Sequence, residues 1–194
     1  IHPGYGFLSE RSVFVDAVEK AGLSFVGPRA ESMDALGSKI KAKELADQEK
    51  IPTLPWALVK PGQDLNQAAK KVGFPLLLKA SAGGGGKGMR KVTEAKDLES
   101  AAEGASREAQ AAFGDGTLFL EKLVENPRHI EVQVFGDGLG GGVHFYEREC
   151  SLQRRHQKLW EECQAPHLSQ KTRDALYETA LRLVRAVKYR NAGT

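Results

Sequence analysis

A run of glycines that follows an apolar segment carries the clearest chemical signal in this sequence. The hexapeptide Gly83-Gly84-Gly85-Gly86-Lys87-Gly88 comes soon after the apolar residues 74–78, and Lys79 lies between the two. Glycine tolerates positive φ, so consecutive backbone N–H groups can converge on an anion, while Lys79 and Lys87 supply positive charge. These residue types favour a phosphate-binding loop at the end of a buried strand.

Two better-known glycine loops fit this segment poorly. Gly83, Gly85 and Gly88 satisfy the G-x-G-x-x-G spacing of dinucleotide sites, but those sites need a following helix, and residues 89–92 are typical of a short strand. A Walker A loop places Ser or Thr after its lysine, whereas Gly88 follows Lys87. The pattern predicts a strand, a glycine flap over phosphates and a second strand. A hairpin tip without a ligand, and a Lys79 that merely reaches solvent, remain as alternatives.

Two further segments carry side chains suited to binding a nucleotide. Lys39 falls in the first turn of a predicted helix, where a bound anion would offset the unfavourable pairing of a lysine with the helix dipole. His129, Glu131 and Gln133 alternate on one face of a predicted strand whose other face is apolar, so they line a cleft or face solvent. A lysine in water and a solvated polar face are the ordinary alternatives.

A basic run near residue 155 is the other candidate for anion binding. Residues 153–158 read Gln-Arg-Arg-His-Gln-Lys. A small anionic substrate fits this run better than a nucleic acid, because aromatic residues are not interleaved with the cations and the net charge is only +3. A structural role for His156 is the alternative.

Composition limits the classes of protein that need to be considered. The 194 residues are 41% hydrophobic, with 28 basic and 25 acidic side chains, which indicates a globular chain of one or two domains. Apolar stretches stay below the roughly 18 residues of a membrane span, so we do not expect a membrane as a partner. The net charge of only +3 likewise does not call for nucleic acid as a partner. Cys150 and Cys163 lack metal-site spacing and suit a reducing compartment. Because the chain opens with Ile1 rather than Met, we expect an internal fragment.

The chain divides into three predicted segments, at residues 1–52, 53–122 and 123–194. The predicted helices comprise one capped by Ser9 and ended by Gly22, one capped by Ser38 and running to Lys50, and those at 64–72, 95–113 and from Ser169 onward. The predicted strands are 23–26, 74–79, 89–92, 117–121 and a hairpin of 129–134 and 143–150 around the turn at 136–142. Residues 51–55 form a proline-containing linker.

Several long motifs occur together and in order. They are residues 2–10 (HPGYGFLSE), 25–28 (FVGP), 79–81 with 83–90 (KAS and GGGGKGMR), 121–122 (EK), 125–131 (ENPRHIE) and 147–158 (ERECSLQRRHQK). In these motifs the chain resembles the biotin carboxylase component of biotin-dependent carboxylases, within the ATP-grasp superfamily. The resemblance implies an α/β (α+β) ATP-grasp fold: the end of the Rossmann-like N-terminal domain, the lid subdomain, and the start of the C-terminal subdomain.

The resemblance implies a role for each matched residue. For ATP, Lys39 and Lys79 would hold the phosphates, Gly85 and Gly86 would lie in the flap, and Glu121, Lys122, Leu123 and Val124 would carry the adenine. His129 and Gln153 would line the nucleotide site near the ribose. His156 and Lys158 would act catalytically at the bicarbonate and phosphate end, and Tyr5 would lie near the biotin ring.

The implied reaction is carboxylation of biotin at N1′. Bicarbonate would attack the γ-phosphate of ATP to give carboxyphosphate, with Mg²⁺ or Mn²⁺ as the cofactor and biotin on a carrier domain or protein. A carboxyltransferase component and a homodimer or larger complex are the other implied partners, in the cytoplasm or, in a eukaryote, the mitochondrial matrix.

One departure and one absence qualify this resemblance. Residues 163–166 read Cys-Gln-Ala-Pro, where the family usually has an Ala-Pro-Ala-Pro-like turn. The family's metal-binding carboxylates are expected beyond Thr194, so we expect no metal ligand within the chain and no complete catalysis by it alone. Another ATP-grasp ligase that joins a carboxylate to an amine, and a non-catalytic nucleotide-binding or basic interaction module, remain open.

Overall fold

The computed structural model describes residues 1–59, 64–81, 89–155 and 157–194, which form two compact units. The first unit comprises Ile1–Gly37, Lys41–Ile51 and Arg128–Thr194, and the second comprises Ser38–Ile40 and Pro52–Pro127. Among the described helices, none has the length and apolar character that crossing a membrane requires.

Six α-helices and ten strands make up the described secondary structure. The helices are Ser12–Lys20 (α1), Ala30–Gly37 (α2), Lys39–Gln48 (α3), Leu65–Val72 (α4), Leu98–Phe113 (α5) and Gln170–Ala186 (α6). The strands are Trp56–Val59 (β1), Leu76–Ala80 (β2), Arg90–Val92 (β3), Leu118–Lys122 (β4), Ile130–Asp137 (β5), Gly142–Glu149 (β6), Gln153–Arg154 (β7), Gln157–Lys158 (β8), Glu162–Cys163 (β9) and Arg190–Gly193 (β10). Short 3-10 helices at Phe7–Glu10 and Ala95–Asp97 precede α1 and α5.

The second unit is an antiparallel sheet, in the order β1-β4-β2-β3, covered by α4 and α5. Strand periodicity sends Leu76, Leu78 and Ala80 of β2 into the buried core. Alanines on the helices, among them Ala69 and Ala105, are fully buried against this core. Leu77 and Lys79 of the same strand therefore lie on the face of the sheet opposite the helices.

Local signals begin and end the two helices of this unit. Asp64 caps α4 through a hydrogen bond from Asn66 N–H to its carboxylate, at 2.8 Å. Gly114, with φ of 72°, takes the left-handed conformation that ends α5. Both helices confirm the sequence predictions.

The first unit holds a second antiparallel sheet, in the order β10-β5-β6-β9, with α6 against β5 and β6. Ser169 caps α6 by accepting from Thr172 N–H at 3.1 Å, and the predicted start of this helix near Ser169 is confirmed. The turn between β5 and β6 is held by Asp137, whose carboxylate accepts from Leu139 N–H at 2.7 Å and Gly141 N–H at 2.9 Å. The predicted hairpin is confirmed, with a bulge between Val132 and Val134.

Two predictions near the start of the chain are wrong. Ser9 caps no helix, because residues 7–10 form a 3-10 helix and α1 begins only after Arg11. Residues 23–26 do not form a strand. Leu23 N–H donates to Val18 O at 3.1 Å, the Ile1 ammonium donates to Ser24 O at 2.5 Å, and Ile1 O accepts from Val26 N–H at 2.9 Å, so none of the described strands pairs with this segment. The sequence analysis also missed α2, β1 and β10.

A buried carboxylate joins β6 to α6. Glu147 is fully buried and bonds to Arg173 and to the hydroxyl of Tyr177, while Arg173 also donates to Ala165 O at 2.8 Å. Removing one partner of a buried ion pair leaves an uncompensated charge, which is strongly destabilising.

We therefore expect Arg173→Met to lower the free energy of unfolding by about 3 kcal/mol, measured by urea denaturation. The matched control is Arg107→Met, because the pair of Arg107 with Glu103 is exposed and should contribute less than about 0.5 kcal/mol. Equal losses in the two variants would contradict this account of Glu147.

A second ion pair makes stability depend on pH. Arg128 Nε donates to Glu149 Oε1 at 3.0 Å, and a second Arg128 nitrogen bonds to Glu149 Oε2. These bonds, together with the bond from the Ser151 hydroxyl, lower the pKa of Glu149 from 4.5 to about 2. Because the folded-state pKa is depressed, this stabilisation is complete above about pH 4.5 and is lost as the pH falls toward about 2.

We expect the melting temperature of Glu149→Gln to lie below that of the unsubstituted protein at pH 6, with the gap closing between pH 4.5 and pH 2. Differential scanning fluorimetry across this range measures the gap. A constant gap at every pH would show that the ionised carboxylate is not what stabilises the fold.

Candidate functional site

Lys79 lies on the face of the second unit's sheet that is opposite the helices, where it forms an ion pair with Glu121. The register of β2 and β4 sets Lys79 opposite Phe119 and Leu77 opposite Glu121, so all four side chains share this face. The Lys79 ammonium also lies 5.9 Å from the centroid of the Phe119 ring. Glu121 is only 8% exposed, so this pair is largely shielded from water.

Lys39, the first residue of α3, belongs to the same unit and interacts electrostatically with both members of this pair. Burial around its ammonium group lowers the pKa of Lys39, the charge of Lys79 lowers it further, and Glu121 acts in the opposite direction. Two lysines and one carboxylate therefore share a local field with an excess of positive charge. An anion carrying several negative charges would relieve the repulsion between the lysines.

The flanks of the glycine run agree with the predicted strand, loop and strand. β2 and β3 pair antiparallel, with Leu78 opposite Arg90. Gly85 and Gly86 lie outside the described residues. Because a strand rather than a helix follows, neither a dinucleotide loop nor a Walker A loop fits this segment.

The predicted adenine-binding residues form the end of β4 and its continuation. Lys122 N–H donates to Pro55 O at 2.9 Å and Leu123 N–H to Pro75 O at 3.1 Å, so both donors are used within the chain. The Lys122 ammonium bonds to Phe74 O at 2.5 Å. Val124 follows the strand and is 42% exposed, which leaves its backbone as the better candidate for pairing with a ligand edge.

In the first unit, His129 and Gln153 lie together as the sequence analysis expected of a shared site. Gln153 Nε2 is 2.8 Å from His129 Nδ1 and 2.9 Å from Cys150 O. The His129 ring is exposed and immediately precedes β5. These two side chains present one polar surface.

Lys158, in β8, is held by a carboxylate that the sequence analysis placed on the polar face of β5. Its ammonium bonds to Glu131, whose other oxygen accepts from Arg148 Nε at 3.0 Å. Burial alone would raise the pKa of Glu131, but the hydrogen bonds and charges of Lys158 and Arg148 outweigh burial, and the pKa is lowered. Glu131 is therefore an ionised anchor for Lys158.

Arg148 and Glu149 are functional candidates that the sequence analysis missed. Arg148 also donates to Gln133 at 3.0 Å, which confirms that Glu131 and Gln133 share a face. The available signal was the run of three charged residues, Glu147, Arg148 and Glu149, in β6, of which Arg148 lies opposite Glu131 of β5. Charges at cross-strand positions pair when the strands are in register.

The remaining predicted residues are His156 and Tyr5. His156 lies outside the described residues. Tyr5 precedes the first 3-10 helix with 95% of its surface exposed, and in the described part of the chain no hydrogen bond links it to His129, Gln153 or Lys158.

One cluster has the spacing of a metal site but not its chemistry. Ligand atoms of Glu131, Cys150 and Glu161 lie within 4.8 Å of one another. Burial, followed by the charge of Glu131, raises the pKa of the Cys150 thiol, which keeps it protonated. Arg148 and Lys158 already neutralise the carboxylates. We interpret the cluster as an ion-pair network that disfavours a further cation.

The first unit also contains a cavity of about 460 Å³ that is lined mainly by apolar side chains of α2, β5 and α6, including Met33, Val132 and Leu183. None of the predicted site residues lines it. Its apolar character does not suit a nucleotide phosphate.

Comparisons with known proteins agree with this geometry. Residues 38–194 match the family model described as carbamoyl-phosphate synthase L chain, ATP binding domain, and residues 1–33 match the model described as biotin carboxylase, N-terminal domain. The alpha subunit of mitochondrial methylcrotonoyl-CoA carboxylase from Dictyostelium discoideum is 47% identical over 199 residues, which span 100% of this chain and 28% of that protein. Pyruvate carboxylase from Bacillus subtilis is 47% identical over 197 residues, which span 100% of this chain and 17% of that protein.

Solved structures give the same result. A biotin carboxylase from Campylobacter jejuni, in a complex named for β,γ-ATP, is 47% identical with a TM-score of 0.89, covering 99% of this chain and 44% of that one. The biotin carboxylase domain of 2-oxoglutarate carboxylase from Hydrogenobacter thermophilus, described with MgADP, ADP and bicarbonate, is 41% identical with a TM-score of 0.88, covering 99% and 43%.

The chain spans less than a third of the curated relatives named above and less than half of these two structures. Its fold is the mixed α/β ATP-grasp fold of those structures. The chain therefore belongs to the family of ATP-binding domains described for the carbamoyl-phosphate synthase L chain, in the form found in biotin carboxylases.

Proposed function

We propose that this chain is the ATP-binding part of the biotin carboxylase component of a biotin-dependent carboxylase, an ATP-dependent ligase. The observation that carries the proposal is the shared field of Lys39, Lys79 and Glu121 beside the strands that flank the glycine run. Phosphoryl transfer needs chiefly positioning and charge neutralisation, which paired lysines and backbone amides supply.

In the proposed reaction, a bicarbonate oxygen attacks the γ-phosphorus of ATP and ADP leaves, which forms carboxyphosphate. Carboxyphosphate then breaks down to phosphate and CO₂, the phosphate takes the proton from N1′ of biotin, and N1′ attacks the CO₂ to form carboxybiotin. Lys39 and Lys79 bind the phosphates of ATP, with Gly85 and Gly86 as the proposed flap. The ion pair with Glu121 holds the Lys79 ammonium in place before the nucleotide arrives.

The first unit contributes the remaining proposed roles. His129 and Gln153 bind the nucleotide near its ribose, and Lys158, fixed by Glu131, faces the bicarbonate and phosphate end together with His156. Lys158 has three ammonium hydrogens, and its bond to Glu131 leaves others for an anionic substrate. Tyr5 is exposed, as a residue that meets a biotin delivered from outside would be.

We also propose Mg²⁺ or Mn²⁺ as the cofactor that accompanies ATP, on the strength of the MgADP named for the Hydrogenobacter structure. The cluster of Glu131, Cys150 and Glu161 does not fit this role, because a protonated thiol is a poor ligand for a hard cation and the carboxylates are already paired with cations. We route no step through it.

The proposed partners follow from the names of the relatives. A biotin carboxyl carrier domain or protein and a carboxyltransferase component complete a biotin-dependent carboxylase, and a homodimer or larger complex is the proposed assembly. Cytoplasm and mitochondrial matrix are the proposed compartments, since one relative is named as mitochondrial.

A second candidate is another ATP-grasp ligase, one that joins a carboxylate to an amine. It is favoured by the description of the family model as carbamoyl-phosphate synthase. The match of residues 1–33 to the biotin carboxylase N-terminal domain favours biotin instead.

The acceptor decides between these two functions. In the full-length protein we expect ADP release that requires bicarbonate and rises with free biotin, measured by a coupled assay. Release that needs ammonia or another amine and ignores biotin would support the second candidate and contradict the first.

The role of Lys79 is separable from its structural pairing. We expect Lys79→Ala in the full-length protein to weaken ATP binding by about tenfold to a hundredfold, because a charge-assisted bond to phosphate is lost. Isothermal titration measures the dissociation constant. Since the substitution strands the largely buried Glu121, the double variant Lys79→Ala with Glu121→Gln should recover the melting temperature but not the affinity.

Lys91→Ala is the control, because Lys91 in β3 is an exposed lysine of the same sheet. It should bind ATP as the unsubstituted protein does. If the double variant regained full affinity, Lys79 would be a structural residue rather than a phosphate ligand.

A further inference from the structure

The backbone of His129 is fixed from two sides by the segment that follows β6. Its N–H donates to Ser151 Oγ at 2.9 Å, and its carbonyl accepts from Cys150 N–H at 2.8 Å. The position of the ring is therefore constrained at its root.

The contacts of Gln153 determine which ring nitrogen of His129 carries the hydrogen. A carbonyl oxygen only accepts, so the atom 2.9 Å from Cys150 O must be the amide nitrogen rather than the amide oxygen. The same nitrogen lies 2.8 Å from His129 Nδ1 and has a second hydrogen to donate. Nδ1 is then the acceptor, and the ring hydrogen sits on Nε2.

Charged residues behind Ser151 fix the direction of its hydroxyl. Ser151 Oγ donates its one hydrogen to Glu149 Oε1 at 2.8 Å, which leaves its lone pairs for His129 N–H. Arg128 holds Glu149 and also donates to Pro166 O at 2.6 Å. Because Glu149 has a pKa of about 2, it stays an ionised acceptor at neutral pH.

We propose that Glu149, Ser151 and Gln153 are positioning residues that hold His129 with its hydrogen on Nε2, so that the exposed ring presents a donor to an oxygen of a bound nucleoside triphosphate. The choice of ligand rests on the proposed function, whereas the state of the ring does not. The Nε2–H group of His129 can donate to a ribose or phosphate oxygen, which accepts a hydrogen bond, but not to a group that can only donate.

The state of the ring is measured without any nucleotide, so the result stands whether or not the proposed function does. Long-range ¹H–¹⁵N spectra of the full-length protein separate the two tautomers, and the signal missing in His129→Gln identifies the residue. We expect the Nε2–H form at pH 8. The Nδ1–H form would overturn the proposal.

The effect on binding is measured with ADP and ATP. We expect Ser151→Ala to weaken ADP binding by about tenfold and to raise KM for ATP, while kcat at saturating ATP changes little, because one fixed hydrogen bond in the binding site is loosened. Ser151→Thr keeps the hydroxyl and should restore both values.

Ser100→Ala is the matched control, since the Ser100 hydroxyl donates to Asp97 O at 3.2 Å in the first turn of α5 and has no other side-chain bond among the described residues. It should leave ADP affinity unchanged. Unchanged affinity in Ser151→Ala, an equal loss in Ser100→Ala, or a failure of Ser151→Thr to restore binding would each overturn the positioning role.

Discussion

The arrangement of charge in the second unit depends on the two-residue period of a single strand. In β2, alternate side chains enter the core beneath α4 and α5, and the intervening ones, including Lys79, must lie on the opposite face. A shift of one residue would bury the ammonium and expose Leu78, so the hydrophobic core fixes the register and thereby the lysine. Glu121 on the paired strand β4 then fixes the ammonium itself. Packing on one face thus determines the electrostatics of the other.

The same device recurs in the first unit, where two of the candidate residues, Lys158 and His129, are held by acids on strands. Glu131 in β5 holds Lys158, and Glu149 at the end of β6 supports His129 through Ser151. Long side chains lose rotamer entropy when they bind a ligand, and that loss is smaller when the side chain is already restrained. Carboxylates on rigid strands therefore prepare flexible cations and donors for an anionic ligand.

Periodic and capping signals made most of the fold predictable from sequence. Asp64 and Ser169 marked true helix starts, and the alternation at residues 129–134 predicted β5 and its hairpin partner. Ser9 failed as a cap because a 3-10 helix competed for the same residues. Strands β1 and β10 were missed because they are four residues long and are defined by pairing with distant strands, which no local pattern contains.

The candidate site was predictable in its residue types but not in its contacts. Lysines near glycines indicated phosphate, and the proximity of Lys39 to Lys79 was expected only from the resemblance. The ion pair between Lys79 and Glu121 joins residues 42 positions apart. The ion pair between Arg148 and Glu131 joins the neighbouring strands β6 and β5. Such pairs depend on register, which is set by core packing and turn geometry rather than by the charged residues themselves.

If Lys79 binds phosphate as proposed, its pairing with Glu121 also limits how tightly that phosphate is held. The empty state already satisfies the ammonium, so binding gains only the difference between a carboxylate and a polyanion as its neighbour. Lys39 acts in the opposite direction, because its repulsion from Lys79 raises the free energy of the protein without nucleotide. A bound triphosphate would relieve that repulsion. The carboxylate therefore restrains affinity while the second lysine increases it. In the proposed reaction ADP must leave after each transfer, and that balance would favour its release.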